Sequence, residues 1–452
     1  MSWDGRTHFV GIGGAGMSAI AKVLLERGQE VSGSDLKSTA TTSALEALEA
    51  EIQIGHNGTV VDGAARIVVS AAIDDRNPEL FRARELGLEV ISRGEALARL
   101  LAGLCSIVVA GTHGKTTTTS MIVSILRAAG HDPTYLVGGG LNDAGTNASW
   151  GRDEIAVAES DESDGSFLLL DPSIAIVTNV EMDHVDHWAS LEELRAAFAS
   201  FLARVDKDGV VVLPYGDDLI EEVEGPRVIT FGGIGDITAE AAVTTREGTR
   251  FTLAEGAERA GVMLSVPGDH NVLDALAAAA AARAVGVPLA EIAAGLGAFS
   301  GVQRRFEVLG ERAGVTVVDD YAHHPAEVRV TLAAARAGQW SRVIAVFQPH
   351  RYSRTSALGP QFGSAFAGAD KIVITDVYGA GEPAVPGVTG KLISDAVAEA
   401  LPGRSVAYLP HRADLASYLA ALTRAGDVVL TLGAGDITSL GPQLLDALEA
   451  RS

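Results

Sequence analysis

The chain has 452 residues, 47% of them hydrophobic and 21% charged, with a formal net charge of −23. That length exceeds what one core supports, so two to four domains are expected, and an acidic balance with only six lysines excludes a nucleic-acid surface, which needs a basic stripe. No run of eighteen apolar residues and no basic-then-apolar leader occurs, so neither membrane insertion nor export is expected, and the single Cys105 permits no intramolecular disulfide and fits a reducing, cytoplasmic compartment.

In chain order, an apolar strand expected over 7–11 runs into Gly11-Ile12-Gly13-Gly14-Ala15-Gly16 and then an apolar helix from Met17 to Glu26. A second strand, 30–34, ends at Asp35, nineteen residues after Gly16. Glycines at 11, 13 and 16 with a carboxylate at that distance make the dinucleotide-type fingerprint, in which helix-start N–H groups face a diphosphate and the acid faces a ribose. The pattern specifies a nucleotide without saying which, and an NAD-binding domain is an open reading of residues 1–100. Further strand and helix pairs are expected over 67–70, 78–86 and 89–92 and from Glu95, with a boundary near 101–105.

The stretch Ser106 to Ser120, SIVVAGTHGKTTTTS, joins a β-branched run, a glycine turn and a lysine-threonine step. A strand, tight loop and helix leave N–H groups unpaired at the helix start, where they favour a phosphate; Lys115 then offers a point charge and Thr116 a hydroxyl for Mg²⁺. The Walker spacing is incomplete, because Val109 stands where its first glycine belongs and Gly111 opens a shorter loop holding Thr112 and His113. Four successive threonines are mediocre helix formers and need another reason to open a helix.

Beyond a Gly-rich loop at 137–140, a strand over 154–158 ends in Glu159-Ser160-Asp161-Glu162-Ser163-Asp164. Acids at the carboxyl end of such a strand face the ligand crevice; most of these read as a solvated loop, and Glu159, directly at the strand end, is the expected metal ligand. The strand 174–178 leads into Asn179 to His187, where His184 either orients an acid or touches the ion, since Mg²⁺ prefers oxygen. Residues 205–265 look strand-rich, with segments at 209–213, 227–231 and 262–266, before Pro267-Gly268-Asp269-His270-Asn271 opens an alanine-rich helix. From Gly314 strands (315–319, 343–347, 372–375, 428–432) alternate with helices (from 325, then 355–367, 392–400, 413–424), which implies a third α/β domain with a mostly parallel sheet. Its post-strand loops are polar: Asp320 to Pro325, Gln348 to Arg354 and Gly433 to Asp436. Arg351 and Arg354, three apart, can clamp a carboxylate, with His350, His323 and His324 on the same sheet.

Nine ordered blocks, among them HFVGIGGAGMSAIA at 8–21, AGTHGKTTT at 110–118, ESDESDGSF at 159–167, TNVEMDHVDHW at 178–188, GDHN at 268–271, RRFE at 304–307, DDYAHHP at 319–325 and QPHRYSRT at 348–355, together resemble the Mur ligase family over nearly the whole chain. The resemblance implies an α/β protein of three domains. These are a Rossmann-like UDP-sugar domain at 1–100, a central P-loop-type ATPase domain at 101–300 with a strand-rich subregion, and a Rossmann-like amino-acid domain at 301–452. It implies an ATP-dependent amide ligation of L-alanine to the lactyl carboxylate of UDP-N-acetylmuramate through an acyl phosphate, with Mg²⁺, acting as a monomer or homodimer.

Carried over by position, it puts ATP on Gly111, Thr112, His113, Gly114, Lys115, Thr116 and Thr117, with Asn271 at the adenine, Asp320 at the ribose and Arg305 at the phosphates. Thr116 and Glu159 hold one Mg²⁺, and Glu159 with His184 reaches a second. The UDP-sugar falls to Gly13, Gly14, Ala15, Gly16, Met17, Asp35 and Ser70. His323, Arg351 and Arg354 surround the amino acid, His323 being the candidate base for its amine. Two departures matter: Asp274 stands where the family usually has a second asparagine, and no lysine between Lys115 and Lys207 can serve the carbamylated-lysine device of sister ligases. The alternatives are a recycling branch that attaches a ready-made tripeptide to the same sugar, disfavoured by the GIGGAGM and DDYAHHP forms, and an NAD-binding redox or sensor protein.

Overall fold

Strands covered on both faces read as unbroken apolar runs, and three sets of them build three sheets in this computed structural model, which describes residues 3–70, 72–142, 146–183 and 187–451. The first sheet is fully parallel, in the order β3-β2-β1-β4-β5, from β1 (Thr7–Val10), β2 (Val31–Asp35), β3 (Glu51–Ile54), β4 (Arg66–Val69) and β5 (Glu89–Ser92). The order reverses at β1, so the glycine loop after it opens at a topological switch point, where α/β sheets take ligands. Helices α1 (Ala15–Glu26), α2 (Ala40–Glu46), α3 (Pro78–Leu86) and α4 (Arg93–Leu101) connect these strands. Helix α4 begins two residues before the expected Glu95, because Ser92 and Glu95 cap it reciprocally: the Ser92 hydroxyl accepts from Glu95 N at 3.2 Å and the Glu95 carboxylate from Ser92 N at 2.7 Å.

The second sheet has ten strands in the order β15-β14-β13-β12-β11-β10-β6-β9-β7-β8. They are β6 (Cys105–Ala110), β7 (Thr134–Leu136), β8 (Ala148–Ser149), β9 (Ile155–Glu159), β10 (Ile174–Val177), β11 (Val210–Pro214), β12 (Arg227–Phe231), β13 (Ile237–Thr245), β14 (Gly248–Glu255) and β15 (Glu258–Leu264). From β12 across to β7 the pairing is parallel, and β6 lies centrally between β10 and β9, again placing its loop at a switch point. Ile107 to Ala110 are fully buried, each large side chain among them contributing roughly 1.5–3 kcal/mol. The helices are α5 (Lys115–Ala128), α6 (Leu191–Leu202), α7 (Asp269–Ala284) and α8 (Leu289–Ala298). Helix α8 crosses α5 closely: a Cβ on Gly295 would lie 2.5 Å from Ile125 Cα, and Ser124 Oγ donates to Gly295 O at 2.8 Å.

The third sheet runs β16-β17-β21-β18-β19-β20, from β16 (Glu307–Arg312), β17 (Val315–Asp320), β18 (Arg342–Phe347), β19 (Lys371–Ile374), β20 (Ser405–Tyr408) and β21 (Asp427–Leu432). It is parallel apart from the edge strand β16, as the alternation of elements led one to expect. Helix α9 (Pro325–Ala337) follows β17, and the helix expected over 355–367 is instead interrupted at Gly359–Gln361, where Pro360 cannot donate its backbone N. By internal contacts the chain forms two compact units, Met1–Glu240 with Thr252–Val262 and Leu273–Phe299, and Ala241–Phe251 with Met263–Val272 and Ser300–Ser452.

Candidate active site

The loop after β6 is made by two glycines with positive φ. Gly111 (φ 131°) passes so close to the chain after β10 that a Cβ would sit 2.1 Å from Thr178 Oγ1; Gly114 (φ 80°) caps α5, and a Cβ there would meet Asp274 Oδ1 at 2.3 Å. Glycine is therefore required twice, on conformation and on space. The segment Thr178 to Glu181 holds the loop's polar groups. Thr112 N donates to Asn179 O at 3.0 Å, His113 N to Asn179 Oδ1 at 3.0 Å, and Thr112 Oγ1 to Glu181 O at 3.0 Å. In return, Asn179 Nδ2 donates to His113 O at 3.0 Å. Sequence reasoning passed over Asn179 as a scaffold residue; its one signal was its place directly after a buried strand.

Lys115 Nζ donates to Gly111 O (2.6 Å), to Thr112 O (3.3 Å) and to the carboxylate of Glu162 (2.7 Å), with Asp161 Oδ1 at 4.0 Å. Burial opposes its charge, but Glu162, Asp161 and Glu159 outweigh that and raise its pKa above the ordinary value, so the loop holds a firm ammonium. Glu162 is fully buried, so the acid that pairs with the lysine is three residues past the one singled out from sequence. Glu159 ends β9 in register with Val109, and its carboxylate accepts from Gly138 N at 2.8 Å. Thr116 and Thr117 are buried, and the threonine run is accounted for in part by back-bonding, with Thr119 Oγ1 on Lys115 O at 2.8 Å. His184 lies outside the described residues.

Around the first glycine loop, Gly13 N donates to Asp35 Oδ2 at 2.9 Å, and the Ser70 side chain lies beside Gly11. Gly14 caps α1 with no side-chain partner, leaving the first-turn N–H groups of Ala15, Gly16 and Met17 directed out of the helix end. Asp35 thus shapes the loop as well as marking its rim.

In the second unit, Arg305 lies over Tyr321 (5.3 Å), with Glu327 4.0 Å away. It is flanked by two residues with positive φ, Arg304 (61°) and Phe306 (47°), a strain sustained by Arg304 Nε on buried Asp319 at 3.2 Å. The Asp320 carboxylate accepts from Phe306 N and Ala322 N, both at 2.8 Å; burial pushes its pKa up to about 6 against the lowering pull of Arg305 and those two N–H groups. Asn271 donates to Pro267 O at 2.7 Å, so its amide nitrogen holds its own turn.

His323 Nδ1 sits 3.0 Å from Tyr321 O, and since a carbonyl can only accept, Nδ1 carries the hydrogen and Nε2 of the neutral ring is left as acceptor. Burial lowers its pKa, partly countered by Glu327. The His350 ring is 5.9 Å from that of His323 and stacks on Tyr378 at 5.8 Å; its Nδ1 is buried without a hydrogen-bond partner among the described residues, and burial with the nearby His323, Arg354 and Arg351 lowers its pKa to about 4. Arg351 opens the next helix at φ 67°, ψ 139°, a conformation costly for a side-chain-bearing residue. The structure therefore gathers Arg305, Asp320 and His323 on one loop cluster with Arg354 near His323, and adds Tyr321, Glu327 and Tyr378, of which Glu327 was signalled by its place three residues after the helix cap His324.

The chain matches the Mur ligase family catalytic domain at residues 6–104, the Mur ligase middle domain at 109–282 and the Mur ligase glutamate ligase domain at 304–435. It is 49% identical over 449 residues, 98% of this chain and 100% of the relative, to the UDP-N-acetylmuramate--L-alanine ligase of Rubrobacter xylanophilus. This chain belongs to the Mur ligase family. A second relative, the enzyme of the same name from Streptomyces avermitilis, is 46% identical over 98% of this Mur ligase and 97% of its own length. Among solved structures, the UDP-N-acetylmuramate-alanine ligase of Thermotoga maritima superposes with TM-score 0.83 at 30% identity, covering 99% of this Mur ligase and 100% of that chain. A murein peptide ligase from Psychrobacter arcticus gives TM-score 0.71 at 25% identity, over 98% and 99%. The three-domain α/β architecture expected from the sequence is the one these matches share.

Proposed function

We propose that this chain joins L-alanine to the lactyl carboxylate of UDP-N-acetylmuramate at the expense of ATP, releasing ADP and phosphate, as a step in making the peptidoglycan precursor. The observation that carries this reading is the loop after β6: a glycine-capped helix start with a lysine held charged by a buried acid, in a chain whose full-length relatives bear that ligase's name. An NAD-binding reading of the first loop leaves Lys115, Glu159 and the arginine loop with no task.

A carboxylate is a poor acyl donor, so the lactyl group is activated by taking the terminal phosphoryl group of ATP, and phosphate then leaves as the alanine amine attacks. Gly111 to Thr117 seat the triphosphate. Lys115 meets the charge that gathers on the transferring phosphoryl group, and Arg305 is the second cation assigned to it. Thr116 and Glu159 present a hydroxyl and a carboxylate, the hard oxygen donors Mg²⁺ takes before phosphates and water complete its shell, so the residues fit that ion. Mg²⁺ there supplies charge neutralisation of the phosphates.

Arg351 and Arg354 hold the alanine carboxylate. His323, neutral with Nε2 free to accept, takes the proton that the ammonium must shed before attack. Gly13 to Met17, Asp35 and Ser70 seat the UDP group. Domain limits at 1–100, 101–300 and 301–452 follow from this division of substrates, and the use of ATP and a UDP-sugar places the reaction in the cytoplasm.

The test is ADP release with ATP and UDP-N-acetylmuramate against alanine, glycine, serine and the alanyl-glutamyl-diamino-acid tripeptide. Alanine is expected to give the highest kcat/KM; a preference for the tripeptide would move the chain to the recycling activity.

A further inference from the structure

Helix α4 opens with Arg93, whose guanidinium lies between the first glycine loop and the acid turn after β9. On one side its Nη2 donates to Asp164 Oδ2 at 2.9 Å and to Ser166 Oγ at 3.1 Å. On the other, a Cβ placed on Gly16 would lie 3.1 Å from both Cδ and Nη1 of the arginine, so the guanidinium rests against the first turn of α1, where the N–H groups have no intrahelical acceptor. Among the described residues Nη1 and Nε have no hydrogen-bond acceptor, and the side chain keeps 22% exposure. Nη2 is thus engaged, while Nη1, the nitrogen beside Gly16, is open toward an anion seat.

The engaged edge leads to Lys115. Asp164 and Ser166 belong to the turn that carries Glu162: Gly165 N donates to Glu162 O at 3.2 Å, Ser166 N to Asp164 Oδ1 at 3.0 Å, and Ser166 Oγ to Asp161 O at 3.4 Å. Glu162 in turn pairs with Lys115 at 2.7 Å. The residue after the arginine tightens this link, since a Cβ on Gly94 would lie 2.8 Å from Ser166 Cβ and 2.9 Å from Leu169 Cδ1. Helix α4 thus sits on the acid turn with no slack. Fastening α1 to the second sheet does not depend on Arg93. Trp150 N donates to Glu26 Oε2 at 2.6 Å, Arg27 lies 4.4 Å over the Trp150 ring, and Asn147 Nδ2 donates to Ala15 O at 3.3 Å.

We propose that Arg93 couples the two nucleotide sites: a diphosphate on the first loop takes Nη1 of the guanidinium while Asp164 keeps Nη2, so that filling the first loop orders the acid turn that aims Lys115 at the triphosphate. The inference rests on the reading of the first loop as a UDP seat. Such coupling is reciprocal, so a triphosphate on the second loop tightens the first by the same factor.

Calorimetric titration of the full chain tests it, with UDP, uridine and, in the presence of Mg²⁺, a β,γ-imido ATP analogue, each alone and with UDP and the analogue together. In wild type, UDP and the analogue strengthen each other by about fivefold or more, the lower end of ordinary coupling. Arg93→Ala is expected to weaken UDP by about tenfold or more, as loss of a charge-assisted phosphate contact does, and to leave uridine within about twofold. In that variant the analogue alone binds as in wild type and the mutual strengthening disappears. Arg93→Lys keeps part of the UDP affinity but not the coupling, because one compact ammonium lacks the separated Nη1 and Nη2 donors that reach the first loop and Asp164 at once.

Unchanged UDP affinity in Arg93→Ala overturns the proposal, as does mutual strengthening that survives the substitution. Wild type that binds neither UDP nor uridine overturns instead the underlying reading of the first loop, and the proposal with it.

Discussion

The chain carries two glycine loops of the same local build, one after β1 and one after β6, each ending in a glycine that caps a helix without a side-chain partner. They differ in how charge is supplied. The second loop contains its own cation, Lys115, already paired with buried Glu162 and bonded to the loop's carbonyls, while the N–H groups of Thr112 and His113 are held from outside by Asn179. The first loop contains no cation; it is bound through Gly13 to the Asp35 carboxylate, and the positive charge beside it, Arg93, comes from another helix. Helix-start geometry alone thus makes an anion seat of modest strength. On the proposed assignment the internal lysine makes one copy the triphosphate site, and its absence leaves the other for a diphosphate whose sugar and base do much of the binding.

The largest expected effect lies in the second loop. Lys115→Ala should lower the rate of ADP release by about two to three decades, as removal of one preorganised donor to a developing anion does, while the KM for UDP-N-acetylmuramate stays near wild type. An equal loss on both would mean that the loops do not divide the substrates as assigned. Glu162→Gln removes the acid that keeps Lys115 charged against burial; the lysine pKa then falls, and since the protonated form is the active one, the alkaline limb of the kcat profile should shift to lower pH. A profile with an unmoved limb would reduce Glu162 to a packing role.

Arg354→Ala touches neither loop and should raise the alanine KM by about tenfold or more, the scale of a lost charge-assisted carboxylate contact, with the ATP KM unaltered. Smallest is Asp35→Ala, which frees Gly13 N and should raise the KM for UDP-N-acetylmuramate by about tenfold, a bond to a charged group being worth roughly 1.5–3 kcal/mol at most here. A comparable rise in the ATP KM for that variant would erase the distinction between the loops.

Both loops were legible in sequence because Gly11, Gly111 and Gly114 are demanded by backbone shape, Gly13 and Gly16 by close neighbours, and their strands are buried. Strands of the other kind were not. β3, β16 and β20 lie at sheet edges with mostly exposed or half-covered residues, and β13 is largely solvent-facing; β16 and β13 show no unbroken apolar run or clean alternation, and β3 and β20 are only four residues long. In the acid run after β9, composition suggests a solvated loop with Glu159 at its root. Glu162 is buried there only because Lys115, 47 positions away, supplies its counter-charge, and spacing along the chain carries no trace of such a partner. Arg93 was silent for the same reason: at the first position of a helix it reads as an ordinary exposed residue until the fold brings Gly16 and Asp164 to either side of it.

The central claim, that the second loop moves the terminal phosphoryl group of ATP onto the sugar-linked acid, is tested most directly by trapping the activated carboxylate. With hydroxylamine in place of alanine, wild type should form a hydroxamate that requires both ATP and UDP-N-acetylmuramate. Arg354→Ala should form it as well, and Lys115→Ala should not. Hydroxamate made at the wild-type rate by Lys115→Ala would contradict the account, and so would a wild-type enzyme that releases ADP with alanine yet yields no hydroxamate.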